Sequence, residues 1–111
     1  MKENIIQQNS FLFAIRIINI YKYSTNKKKE FVLSKQILRS GTLIGGQSDK
    51  DFLSKISISY KEARETIYWL KLLKETGYIK IDEFESIFND AEEICKILGS
   101  IQIAIKKKKN N

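Results

Sequence analysis

Asp51–Gly77, DFLSKISISYKEARETIYWLKLLKETG, is the stretch that decides the fold. Leu53, Ile56, Tyr60, Ala63, Ile67 and Leu70 recur in it at spacings of three, four, three, four and three. That rhythm lays one apolar stripe along an α-helix, as in the seam of a bundle. The alternation Ile56-Ser57-Ile58-Ser59-Tyr60 reads as a strand in isolation, but it is embedded in the longer repeat and length favours helix. Ile58, Tyr68, Trp69 and Leu72 form a second apolar group off the main stripe. A helix with two faces to bury points to one partner inside the chain and another outside it. Ser48 with Asp51 three residues on resembles a capping box, and Gly77 closes the helix.

Beyond Gly77, Tyr78–Ile81 is a short connector, and Asp82 with Glu85 marks the start of a fourth helix. Phe84, Ile87, Ala91, Ile94, Leu98, Ile101 and Ile105 then keep the cleanest heptad of the chain. The KKKKNN ending at 106–111 is expected to be a disordered basic tail, so the domain runs from 1 to 105. Towards the N-terminus, FLFAIRIINIYKY carries one apolar row of Phe11, Ala14, Ile18 and Tyr21 and another of Phe13, Ile17 and Ile20. An apolar face this wide touches more than one neighbour. Helix two is expected from about Glu30, with Phe31, Leu38 and the Val32/Ile37 pair facing inward. Spacing alone favours a stop at Gly41; in the alternative, the helix continues and the glycine lets another backbone approach. Gly45-Gly46-Gln47 is a break in either case.

At 111 residues the chain is one domain, and with 42% hydrophobic and 30% charged residues it has a globular composition. It contains no proline, so long uninterrupted helices are allowed. No apolar run approaches the ~20 residues of a membrane span, and the N-terminus lacks a signal-peptide layout. The single Cys95 reads as a small buried hydrophobe and suits the cytoplasm. The formal charge is +7, from 20 bases and 13 acids. Eight of the bases are Lys22, Lys27, Lys28 and Lys29 near the first turn and Lys106, Lys107, Lys108 and Lys109 in the tail. Without them 12 bases face 13 acids, so the body is neutral and the charge is local. Such clusters attract phosphates or anionic lipid; equally, lysines near helix C-termini complement the helix dipole and keep a protein soluble. No aromatic lies inside either lysine run, so base stacking is not expected.

Enzyme chemistry is poorly supplied. There is no histidine, hence neither the commonest general base nor a Glu-x-x-His dimetal site. SGTLIGG lacks the Lys-Ser/Thr ending of a phosphate loop, and Glu62/Glu65 and Glu92/Glu93 read as solvated helix faces. The expectation is no catalysis, no cofactor and no metal.

FVLSKQILRSGTLIG followed by GQSDKDFLSKISISYKEARETIYWLKLL resembles the small helical proteins encoded in 23S rRNA intervening sequences. The most specific pieces are Arg39-Ser40-Gly41-Thr42, Lys61-Glu62-Ala63 and Glu65 to Leu70. The resemblance implies an all-α, antiparallel up-and-down four-helix bundle assembled as a homopentamer. A relative, the accessory variability protein of diversity-generating retroelements, binds nucleic acid and a reverse transcriptase. The resemblance also implies a second helix that runs through Gly41. One departure stands out: the acidic segment that usually separates Ser-Gly-Thr-x-Ile-Gly from Gln-Ser is missing, so helix two should be about two turns short. The expected function is non-sequence-specific nucleic-acid binding by a self-assembling bundle, through the eight lysines named above. Ile58, Tyr68, Trp69 and Leu72 are expected in or near the interface between copies. The alternative is an oligomeric protein-interaction scaffold; a weaker third is attachment to anionic membrane through the tail.

Overall fold

The computed structural model describes the backbone at residues 2–46 and 51–110 and the side chains at 5–46 and 51–108. Four helices build it: α1 (Lys2–Asn26), α2 (Val32–Leu43), α3 (Phe52–Glu75) and α4 (Ile81–Asn110). No strand occurs among the described residues, and none of their helices is long and apolar enough to cross a membrane. α1 packs on α2 and α4, α3 packs on the same two, and α1 and α3 stand diagonal to each other. Contacts run in opposite senses along neighbouring helices. Gly41 lies against Ile17 and Gly45 against Ser10; Ser40 meets Thr66 and Ile44 meets Ser59; Lys71 lies over Phe88 and Gln102 meets Ser57. These pairings agree with an antiparallel, up-and-down course in a body of 52 × 26 × 20 Å.

The α3 and α4 repeats supply the core as their spacing predicts. Ile56, Ala63, Ile67 and Leu70 are buried opposite Phe84, Ile87, Ala91, Ile94, Leu98 and Ile101, with Leu53 and Tyr60 half-buried at the edge. Of the two α1 rows, Phe13/Ile17/Ile20 is buried, with Ile6 a further core residue of this helix, whereas Phe11 and Ile18 of the other row are exposed. A second buried row on α3 is polar: Ser59, Glu62 and Thr66 face α2. Ser59 Oγ donates to the Ile44 carbonyl at 2.5 Å, and Thr66 Oγ1 lies 2.9 Å from Ser40 Oγ. Each such bond contributes about 1 kcal/mol net, but leaving a buried partner unpaired costs more.

Helix two differs from its expected form in three ways. It starts at Val32, because Glu30 stays outside the helix and caps it. Phe31 and Val32 therefore point outward, while Ser34, Ile37, Ser40, Gly41 and Ile44 form the inner face. It also passes through Gly41, where spacing alone favours a stop. A Cβ there would lie 2.7 Å from Cγ1 of the fully buried Ile17, so the glycine serves close approach of α1 and α2 and not termination. With 12 residues α2 is half as long as α3, which has 24.

The other boundaries shift by a residue or so. Asp51 itself caps α3, accepting from the Ser54 N–H at 3.1 Å, while Ser48 lies outside the described residues. At the far end Gly77 adopts φ +82 and donates to the Lys74 carbonyl, and the Tyr78 N–H reaches Leu73. This is the Schellman geometry that favours glycine. α4 opens at Ile81, which places Asp82 in its first turn, where a negative charge complements the helix dipole. The expected disordered tail differs as well. α4 continues as helix through the lysines to Asn110, consistent with the good helix propensity of lysine and its favourable charge near a helix C-terminus.

Candidate nucleic-acid interface

The eight lysines occupy opposite ends of the bundle. Lys22, Lys27, Lys28 and Lys29 are exposed where α1 hands over to α2. Lys106, Lys107 and Lys108 are exposed in the last turns of α4. Lys109 has its backbone in that helix and its side chain outside the described residues. The register set by Gln102 Nε2 donating to Ser57 Oγ at 3.3 Å brings this lysine run level with the start of α3.

The first turn is firmly held. Both oxygens of the buried Glu30 carboxylate are engaged: the Val32 and Leu33 N–H groups donate to Oε2, and the Ser34 N–H and hydroxyl donate to Oε1, each of these last two at 2.7 Å. Burial raises the pKa of this carboxyl, but the Ser34 hydroxyl and the three backbone N–H groups outweigh it and leave the value lowered. Lys29, just before it, has φ 56, a left-handed conformation that costs a residue with a Cβ about 1 kcal/mol.

More gathers at this end than the chain order suggests. The last turn of α3 and the α3–α4 connector bring Lys74, Tyr78 and Lys80 beside Tyr23 and Lys28, and all five line one open cleft of ≈ 640 Å³. Lys28 Nζ lies 5.9 Å from the centroid of the Tyr23 ring, which is 42% exposed. An exposed aromatic therefore accompanies this lysine cluster, contrary to the expectation from the lysine runs alone. Asp82 and Glu85 line the same cleft. Lys74, Tyr78 and Lys80 were missed because they lie more than forty residues away in sequence, beyond any local pattern.

The residues expected at a subunit interface divide. Tyr68 is 57% exposed and packs edge-on against Trp69, whereas Ile58, Trp69 and Leu72 are half-buried. α1 does not cover this group, since it does not touch α3. A larger bare apolar strip lies on α1, where Phe11 (69%), Leu12 (61%), Ile15 and Ile18 are exposed. The sequence signal for it was the excess width of the α1 apolar face.

Arg39, Glu62 and Glu65 form a separate knot across α2 and α3. Arg39 Nη1 is 3.3 Å from Glu62 Oε2, Nη2 pairs with Glu65, and Trp69 Nε1 donates to the same Glu65 oxygen at 3.3 Å. Burial raises the Glu62 pKa, with Arg39 acting against the shift and Glu65 with it. Glu62 and Glu65 are thus tied to an arginine, and are not the freely solvated face expected of them. The Cys95 thiol is buried and its pKa is raised, chiefly by that burial.

No curated protein matches the chain. Among solved structures, it is similar to a protein of unknown function from the S23 ribosomal protein family of Bacteroides thetaiotaomicron. The two share 52% identity and a TM-score of 0.87, over 92% of this chain and 98% of the other. The family model described as 23S rRNA-intervening sequence protein matches residues 2–100. Of the residues that carry the resemblance in sequence, Arg39 pairs with Glu62 and Glu65 and Ser40 meets Thr66 across the α2–α3 seam, while Gly41 lies against Ile17 of α1. By its length-wide match and its four helices, the chain belongs to the 23S rRNA-intervening sequence protein family.

Proposed function

We propose that this protein is a non-enzymatic, self-associating helical bundle that binds nucleic acid mainly through phosphate charge. The family's description gives the RNA of an intervening sequence as the setting; a reverse transcriptase complex is the alternative that the resemblance in sequence implies. The observation that carries the reading is the lysine run at 106–108, exposed on consecutive positions of a helix at the rim of a bundle whose body is close to neutral. Lys22 and Lys27 to Lys29 form a second cluster at the opposite rim. Each cluster is small for tight binding alone, and copies gathered in a ring would act together through avidity.

Two apolar groups at the surface support self-association. The α1 strip and the Tyr68 side of α3 are different surfaces, on helices that do not touch, and a head-to-tail contact between copies pairs two different surfaces; a pentameric ring is the proposed closure. The same faces favour a second reading, a protein-interaction scaffold whose lysines serve solubility.

Affinity for RNA and duplex DNA measured against salt separates the two. On duplex DNA, log affinity is expected to fall by about 0.9 per neutralised phosphate for each decade of salt. Removing residues 106–111 should weaken binding and flatten that slope, with the oligomer seen by native mass spectrometry unchanged. The scaffold reading takes over if the parent does not bind at low salt. It does so too if the truncated and Lys27–Lys29-neutralised proteins bind like the parent.

A further inference from the structure

We infer that the cleft at the first-turn end is a stacking site for single-stranded nucleic acid, in which Tyr23 takes a base and Lys28, Lys74 and Lys80 hold the adjoining phosphates. This rests on the nucleic-acid reading above and adds to it what kind of nucleic acid this end selects.

The cleft brings five segments together: the end of α1, the turn after it, the last turn of α3, the connector, and the start of α4. Its volume, ≈ 640 Å³, lies in the range of small-ligand sites. A smaller apolar recess of ≈ 330 Å³ adjoins it and shares Tyr23, Ile79 and Lys80. Tyr23 is the aromatic ring at the join of the two. Every base has a π-face, so an accessible ring beside lysines is the minimal device for holding a single strand without reading its sequence. Lys28 sits over Tyr23 at 5.9 Å, a contact on an exposed side chain with a flexible stem. A base arriving on that face would displace the ammonium towards the phosphate that follows it.

The charge layout argues against a simple phosphate patch. Asp82 and Glu85 line the cleft with the three lysines, and Lys74 is already paired with Glu75 at 3.0 Å. A continuous row of duplex phosphates would meet these carboxylates at close range. A splayed nucleotide need not. Its phosphate can lie on the lysine side, while its base amino or ribose hydroxyl groups donate to a carboxylate. Duplex bases are stacked on each other and cannot present a face to Tyr23. Among the described residues the tail end shows no comparable arrangement: Lys106 to Lys108 follow one another on a single helix.

The test compares a short fluorescent oligouridylate with inorganic polyphosphate, which carries the charge without bases, on the parent and on variants at Tyr23. The parent should bind oligouridylate more tightly than polyphosphate at equal charge. Tyr23→Leu should lower oligouridylate affinity about tenfold and leave polyphosphate affinity unchanged, while Tyr23→Phe should keep the parental values. Lys74→Gln with Lys80→Gln should weaken both ligands. The stacking site is overturned if the parent holds polyphosphate as tightly as oligouridylate, a comparison that needs no variant to fold. It is overturned equally if Tyr23→Leu binds oligouridylate like the parent. In both cases phosphate binding survives. If neither ligand binds the parent at low salt, that broader reading fails as well.

Discussion

The two ends of the bundle carry their lysines in different ways. At the tail end the charge is a run along one helix, with Lys106 to Lys108 all exposed. At the first-turn end it is scattered over the α1–α2 turn, α3 and the α3–α4 connector, and the fold collects it around Tyr23. On the proposed reading the tail end would bind by charge alone, sensitive to salt and indifferent to what carries the phosphate. The first-turn end mixes cations, carboxylates and an aromatic, and the proposal gives it the discriminating role.

The largest expected effect comes from the seam that separates the two ends. Ile67 is 5% exposed between α3 and α4. Ile67→Asp would bury a carboxylate with no partner and should cost several kcal/mol, seen as loss of helix signal or a much lower melting temperature. Both ends should then fail together. A variant that melts like the parent would mean that the α3 register is wrong and the ends are not held by this core.

A smaller effect should distinguish the ends. Glu30→Ala removes the acceptor of four hydrogen bonds at the first turn and should cost about 1–3 kcal/mol. Deleting 106–111, by contrast, should change stability by about 0.5 kcal/mol or less. Equal losses from the two changes would erase the distinction between a built end and a bare one. The pH dependence carries a sign. Because the Glu30 pKa is lowered on folding, its contribution is present above the unfolded carboxyl value and is lost as pH falls through the folded one. Glu62, with its pKa raised, works in the opposite sense: its contribution is present in acid and lost as pH rises through the folded value. Glu30→Gln should therefore flatten the acid limb of the stability curve, as read by denaturant melts at several pH values.

The bundle was legible because α3 and α4 bury apolar residues at helical spacing, and every residue of the α4 heptad from Phe84 to Ile101 is in the core. Hydropathy was blind to the Ser59/Glu62/Thr66 row, since polar residues that satisfy one another across a seam look like a solvated face. It also turned Phe31 and Val32 inward, because it cannot see that Glu30 folds back on the helix start. Gly41 read as a stop until Ile17 supplied the reason for it. Of the candidate interface, the lysine runs were visible as runs. The cleft was not, since Tyr23 and Lys80 become neighbours only when α1 and α4 pack.

Hydrogen exchange of the parent protein, read separately at each end, tests most directly the claim that one end selects bases and the other only charge. Oligouridylate should slow exchange at both the α3–α4 connector, Thr76 to Lys80, and the tail-end helix. Polyphosphate should protect the tail end comparably and the connector much less. Identical protection of the connector by the two ligands, or protection by oligouridylate confined to the tail end, would contradict it.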